Sequence, residues 1–244
     1  MDKSNLDINS ALEAAWLKLL DIFPFNNYIR NPRKVGYFFM VKKVAERSAR
    51  NANVLDFGSG PCDKTALFSL VGMNVTAIDD MQDVWHKIED NKKKILNFAN
   101  TVGINYIVSN NLKNLSLPKE HFDVLMSHDV LEHLHSSPRV LLNNLLQYVK
   151  PNGIMVITVP NAANLRKRIH LLLGKTNYNK YNYYYWYPGL WRGHVREYVR
   201  QDLVLLNKFL GLELLELDTY HLQLDVLPSF TRPCLLYTSP SPRD

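Results

Sequence analysis

Residues able to do chemistry stand out first at Val54-Leu55-Asp56-Phe57-Gly58-Ser59-Gly60-Pro61, where a short apolar run ends in an acid and a glycine-spaced turn follows at once. Glycines let a backbone bend tightly and approach a ligand closely, so a strand, a Gly-x-Gly turn and a helix make the first unit of a nucleotide-binding α/β fold. The third glycine of the dinucleotide fingerprint is absent, and Cys62 and Asp63 stand near its place. A second apolar run, Met73–Ile78, ends in Asp79-Asp80. A carboxylate at the tip of a second strand can accept two hydrogen bonds from a ribose diol. The competing reading of Asp79 is a solvated turn after a buried strand. Turn and acid together favour a nucleoside ligand.

The elements that must position these residues follow from periodicity. Residues 8–22 carry a helical pattern, with Leu12, Ala15, Trp16, Leu19 and Leu20 at three- and four-residue spacing. A second helix is predicted over Lys34–Ala49, with Phe38, Val41, Ala45 and Ala49 on one side. These helices, in residues 1–50, would cover the sheet or the cofactor mouth, and sheet cover is the favoured role. Asp63–Gly72 reads as a helix with positions 66, 67 and 70 on one face, and Val84–Thr101 as a polar surface helix. Ile104–Val108 and Phe122–Ser127 are predicted as the third and fourth strands, the latter apolar enough to be buried on both faces. Ser137 and Pro138 open a helix to Val149, the turn Lys150-Pro151-Asn152-Gly153 ends it, and Ile154–Val159 makes a fifth strand. Leu203–Leu210, stopped by Gly211, is the last helix, and Leu212–Leu217 a sixth strand. Strands alternating with helices predict an α/β fold with a Rossmann-like, doubly wound, mostly parallel sheet.

In this order, Val54–Pro61, Ala77–Asp79, Phe122–Leu134 and Leu146–Asn161 resemble the class I S-adenosylmethionine-dependent methyltransferases. Gly193-His194-Val195-Arg196-Glu197-Tyr198 is similar to a group in that family that methylates small molecules and sugars. The resemblance covers roughly residues 35–220 and implies S-adenosylmethionine as cofactor, bound by the domain at 51–220. It places Asp56, Gly58, Gly60 and Pro61 under the methionine part, and Asp79 with Asp80 at the ribose. Asn111, or Asn110 by register, falls at the adenine amine where the family usually has an acid. Ser127 and His128 would border the sulfonium. The fold normally finishes with an antiparallel strand beside the sixth, for which this sequence offers no good candidate.

Methyl transfer from a sulfonium mainly needs alignment, and a hydroxyl acceptor needs a base, for which histidine is suited at neutral pH. His128, His133, His135 and His194 are the candidates, with His128, His133 and His194 carried forward as catalytic. Glu132-His133 could bind a divalent metal, as similar residues do in some quinone-pathway relatives, but the favoured reading is the start of a helix with no metal. Arg196, Tyr198 and Trp191 are the expected substrate-binding residues, and for His194 and Arg196 a structural salt-bridge role stands equally open. The insert 161–192 joins a basic amphipathic helix, Arg166–Leu173, to Tyr178, Tyr181, Tyr183, Tyr184, Tyr185, Trp186, Tyr187 and Trp191. Aromatic faces beside cations suit stacking on sugars, planar rings or bases, so the insert is expected to be a lid or acceptor site.

The expectation is therefore an enzyme that methylates a small-molecule or sugar-containing acceptor, most naturally at oxygen. The rivals are a nucleic-acid methyltransferase and a non-catalytic cofactor-binding scaffold. Against nucleic acid, Ser127-His128-Asp129-Val130 stands where an Asn/Asp-Pro-Pro-Tyr/Phe motif would be. A net charge of +6 owes much to Leu165–Arg200, where eight cations meet only Glu197. That excess could serve nucleic acid, an anionic membrane or a phosphorylated substrate, though a solvated face is commoner. No apolar run approaches the ~18 residues that span a bilayer, and the N-terminus lacks a secretion pattern, so a cytoplasmic protein is expected. Cys234–Asp244 resembles the translation of a transposon-based sequencing adaptor, which makes 221–233 an expected truncated end.

Overall fold

The computed structural model describes residues 3–29, 33–109 and 115–219. Five strands, β1 (Asn53–Phe57), β2 (Asn74–Asp79), β3 (Asn105–Val108), β4 (Phe122–His128) and β5 (Val149–Thr158), form one parallel sheet in the order β3-β2-β1-β4-β5. Val54 of β1 lies opposite both Val75 of β2 and Val124 of β4, which aligns the carboxyl ends of the three strands. The chain winds outward from β1 to β3 and then crosses back to β4. The strand order thus reverses between β1 and β4, where α/β sheets of this kind open a ligand crevice.

The chain divides into two compact units, Met1–His128 with Leu141–Ile157, and Asp129–Val140 with Thr158–Asp244. The first holds the buried core. Helix α1 (Lys3–Ile22) buries Leu12, Ala15, Trp16 and Leu19, and α2 (Lys34–Ala45) buries Tyr37, Phe38, Met40, Val41 and Val44. The Trp16 ring meets Tyr37 and Phe38 edge-on, with centroids 5.8 and 6.0 Å away. These side chains join Leu67 and Phe68 of α3 (Thr65–Leu70) and Phe98 of α4 (Asn91–Thr101) in one cluster with Val54, Val75 and Val124 of the sheet. The N-terminal helices pack on each other and on α3 and share one core cluster with the sheet. In the second unit, the short helices α6 (Leu165–Leu172), α7 (Tyr181–Tyr185) and α8 (Arg200–Phe209) have no fully buried residue. Asn164 caps α6 by accepting a hydrogen bond from the Lys167 amide at 3.0 Å.

Several expectations need correction. Leu20 is 40% exposed, and α2 stops at Ala45, leaving Ala49 outside it and exposed. The predicted helix over 84–101 is two pieces, a 3-10 turn at Trp85–Lys87 and α4, separated by the extended Ile88 and by Glu89 at φ 47°. Moreover, α4 buries Asn91, Ile95, Phe98 and Ala99, so it is amphipathic rather than a surface helix. Helix α5 (Pro138–Leu146) ends early, because Val149 already belongs to β5. Lys150–Gly153 lies inside that strand, bent at Asn152 (φ 62°), and Lys150 pairs with Asp123 of β4 at 2.7 Å. β5 closes the strand order at one end, and an edge position tolerates the missing N–H of Pro151. A side chain at Gly153 would stand 3.1 Å from the Asp123 carbonyl oxygen, which explains the glycine. No strand occurs at 212–217, where Leu214 and Leu215 are exposed. The expectations for a final strand, for the truncated end and for the adaptor-like tail fall outside the described residues.

Candidate functional site

The residues expected to hold a nucleoside converge at the carboxyl ends of β1, β2 and β4, all in the first unit. Gly58 and Gly60 take positive φ angles of 78° and 51°, which a side chain would strain. The Gly58 amide donates to the Ile78 carbonyl (2.7 Å), and the Gly60 amide to Asp79 Oδ2 (2.9 Å). Asp79 Oδ1 accepts from the Met81 amide at 2.7 Å, so one carboxylate fixes the glycine turn and the loop after β2. A Cβ on Gly60 would meet no heavy atom within 4 Å, so the turn faces open space. Tyr106 of β3 braces it from below by donating to the Gly60 carbonyl at 2.7 Å. Pro61 is buried, and Cys62, where a third glycine would stand, is buried at φ 62°.

Asp56, the penultimate residue of β1, is 2% exposed. Burial pushes its pKa up to about 6, although Thr65 Oγ1 donates to its Oδ2 at 2.5 Å. Its Oδ1 has no hydrogen-bond partner among the described residues, nor has Oγ of Ser127, which is 1% exposed on β4. Buried polar atoms left open near adjacent strand tips call for a partner such as a polar ligand or water. His128 is buried at the end of β4. Asp80 Oδ1 accepts from the Gln82 amide at 2.9 Å and so shapes the loop. Asn111 and Asn110 lie outside the described residues. Sequence reasoning passed over Thr65, Tyr106 and the buried pair in which the Tyr37 hydroxyl donates to Asp63 Oδ2. No motif marks such supports, since each is defined only by what it touches.

The second unit brings another set together. His133 closes a 3-10 turn, Leu131–His133, beside Glu132, which is fully buried. His133 Nδ1 lies 2.7 Å from the Arg192 carbonyl, an acceptor only, so Nδ1 carries the proton and Nε2 keeps its lone pair. His194 Nδ1 lies 3.0 Å from Glu197 Oε1, which fixes the same tautomer. The two imidazoles stand edge to face, 5.1 Å between centroids. Glu132, His133 and His194 bring one ligand atom each to within 4.8 Å of one another, a spacing that a divalent ion could bridge. Lys167 pairs with Glu197. Burial alone would raise the Glu197 pKa, but the hydrogen bonds from Lys167 and His194 outweigh it and hold that carboxyl below its usual range.

The remaining expected residues make contacts within the same unit. His135 Nε2 donates to the Trp191 carbonyl at 2.6 Å, and Trp191 packs on Tyr184 and Tyr187. The buried Tyr198 hydroxyl donates to the Leu131 carbonyl at 3.3 Å. Exposed Arg196 lies over the Tyr198 ring and pairs with Asp202 at 3.4 Å. Val195 and Arg196 amides both donate to the Glu132 carbonyl. Glu197 was legible as the lone acid of a basic stretch and as a member of the Gly193–Tyr198 segment, but not as the partner of His194.

A family model described as methyltransferase domain matches residues 33–217. The chain belongs to this family. Its sheet and glycine turn are those of the class I S-adenosylmethionine-dependent members, and S-adenosylmethionine is its cofactor. The open Asp56 and Ser127 atoms and the unobstructed Gly60 fit that group. The chain is 29% identical over 144 residues to a ubiquinone biosynthesis O-methyltransferase of Rickettsia bellii, covering 58% of this chain and 55% of that protein. It thus spans about half the length of the curated relatives it matches. Among solved structures, the YcgJ protein of Bacillus subtilis aligns with TM-score 0.54 at 15% identity, over 83% of this chain and 82% of that one. An S-adenosylmethionine-dependent methyltransferase from Archaeoglobus fulgidus aligns with TM-score 0.51 at 17% identity, over 83% and 84%. At such identities these two show the fold alone. No helix of the described residues is long and apolar enough to cross a membrane.

Proposed function

We propose that this chain methylates a hydroxyl oxygen of a small-molecule acceptor. The observation that carries the reading is the pair of imidazoles in the second unit, His133 and His194, each held through Nδ1 with its Nε2 lone pair kept for a proton. The Rickettsia relatives, named as O-methyltransferases, support oxygen as the target. When bound, S-adenosylmethionine supplies a methyl carbon activated by its sulfonium.

This chain's own residues do the rest. Asp56, Gly58, Gly60 and Pro61 cradle the methionine part, Asp79 holds the ribose, and Ser127 with His128 borders the sulfur. Glu197 keeps His194 in the tautomer that accepts a proton at Nε2, and the developing imidazolium is stabilised by the same carboxylate. A hydroxyl must give up its proton to become a methyl ether, so an imidazole pair poised to accept one is consistent with oxygen. Arg196, Tyr198 and Trp191 shape the acceptor region of the second unit, and the aromatic insert 161–192 selects the acceptor. No metal is required by this scheme.

The test is transfer of a tritiated methyl group from S-adenosylmethionine into a deproteinised cell extract containing both metabolites and nucleic acid. Label recovered in the solvent-extractable small molecules, as alkali-stable methyl ether, supports the reading. Label confined to precipitated nucleic acid would replace it with the nucleic-acid alternative. Binding of S-adenosylhomocysteine with no transfer to either pool would indicate the non-catalytic one.

A further inference from the structure

The loop after β2 carries a buried imidazole that the family residues above leave unused. His86 sits in the 3-10 turn Trp85–Lys87 and is 8% exposed. That turn is built rather than draped. Asp83 Oδ1 accepts from the Trp85 amide (2.8 Å), the Asn91 side chain donates to the Trp85 carbonyl (2.9 Å), and the Trp85 ring packs on Phe25 and Tyr28. The His86 ring stacks at a tilt against Trp85, 5.4 Å between centroids. Yet buried His86 Nδ1 has no hydrogen-bond partner among the described residues. Leaving such an atom open is costly, and a fixed scaffold around it calls for an occupant.

Its nearest acid is Asp79, whose Oδ1 lies 4.0 Å away. That is too long for a direct hydrogen bond. One oxygen placed between the two atoms, however, sits about 2.8 Å from both. The oxygen must donate to a carboxylate and accept from an N–H, which a hydroxyl does and an ether or carbonyl cannot. Asp79 already accepts from Gly60 and Met81 amides, so its Oδ1 is oriented before any ligand arrives.

We propose that His86 is a second ribose-binding residue, its Nδ1–H donating to the same cofactor hydroxyl that donates to Asp79. The assignment rests on S-adenosylmethionine as cofactor. It makes the diol recognised from two elements, the tip of β2 and the following turn, and it makes nucleosides lacking that hydroxyl poor ligands.

The experiment is calorimetric titration of the full chain with S-adenosylhomocysteine and with its 2′-deoxy and 3′-deoxy analogues, using His86→Asn, His86→Gln and Asp79→Asn. An asparagine amide reaches where Nδ1 stands, and a glutamine amide overshoots it, while both keep the position polar. His86→Asn should stay within about three-fold of the unaltered protein, and His86→Gln should bind roughly ten-fold more weakly. One deoxy analogue should bind the unaltered protein and His86→Gln alike, since it lacks the atom that His86 reads. Equal losses on all three ligands, or no loss with His86→Gln while Asp79→Asn binds weakly, would overturn the proposal and leave the cofactor in place. Failure of the unaltered chain to bind S-adenosylhomocysteine would instead overturn the cofactor assignment, and this inference with it.

Discussion

Replacing Asp79 by asparagine keeps the side-chain volume and one acceptor oxygen but removes the charge. In the native chain Oδ2 holds the Gly60 amide at 2.9 Å and Oδ1 the Met81 amide at 2.7 Å. An asparagine can serve only one of them, and its NH2 then faces the other donor. A buried donor left open costs about 1–3 kcal/mol. For a chain of this size that lowers Tm by roughly 2–12 °C, at about 2–4 °C per kcal/mol. Losing the charge-assisted bond to a ribose hydroxyl removes a further ~1.5–3 kcal/mol from the complex alone, roughly a ten- to hundred-fold weaker affinity. Differential scanning fluorimetry reads the first quantity and calorimetric titration with S-adenosylhomocysteine the second. The reasoning fails if Tm drops while affinity changes by less than about three-fold. Asp79 would then be a turn-former only, and the ribose would be held elsewhere.

Other perturbations follow from the same structure. Trp16→Ala empties the site between Tyr37 and Phe38 and should cost about 3–5 kcal/mol in urea unfolding, loosening the N-terminal helices from the core. Asp56, with a folded pKa of about 6 against 3.8 unfolded, binds its proton more tightly when folded. Its contribution is therefore full below about pH 4 and is lost as pH rises through 6, a slope that Asp56→Asn should abolish in melts across pH 4–7. Glu197 has the opposite sign, because its folded pKa is depressed. The stability it confers is present above the ordinary carboxylate range and is lost as pH falls through the folded value, so Glu197→Gln should flatten the acid limb of the melting profile. His194→Ala should leave S-adenosylhomocysteine affinity within about two-fold and abolish methyl transfer; a parallel loss of both would refute its role as proton acceptor.

Much of this was legible in the chain. Alternating runs and turns gave the strand–helix order, because a buried parallel strand must be apolar and a glycine turn must follow it where a ligand approaches. Asp56, Gly58, Gly60 and Asp79 could be picked out because strand tips and turns are local features. Boundaries failed where tertiary contacts overrode pattern. Val84–Thr101 read as one polar helix, yet the fold breaks it at Ile88 and Glu89 so that Trp85 reaches Phe25 and Tyr28. The same break is what buries His86 beside Asp79, and no spacing rule could pair them. Val149–Gly153 read as a helix end and turn, but pairing with β4 through Lys150 and Asp123 draws it into a strand. Leu212–Leu217 has a strand's composition, and composition alone cannot supply a ladder partner. The sequence by itself determined the class of fold and located the glycine turn after β1 and the acid at the tip of β2, all set by short-range periodicity and backbone freedom. Only the tertiary structure decided which polar atoms stay open, which histidine tautomers are fixed and that Glu197 stands behind His194, because those depend on atoms far apart in the chain meeting within hydrogen-bond distance.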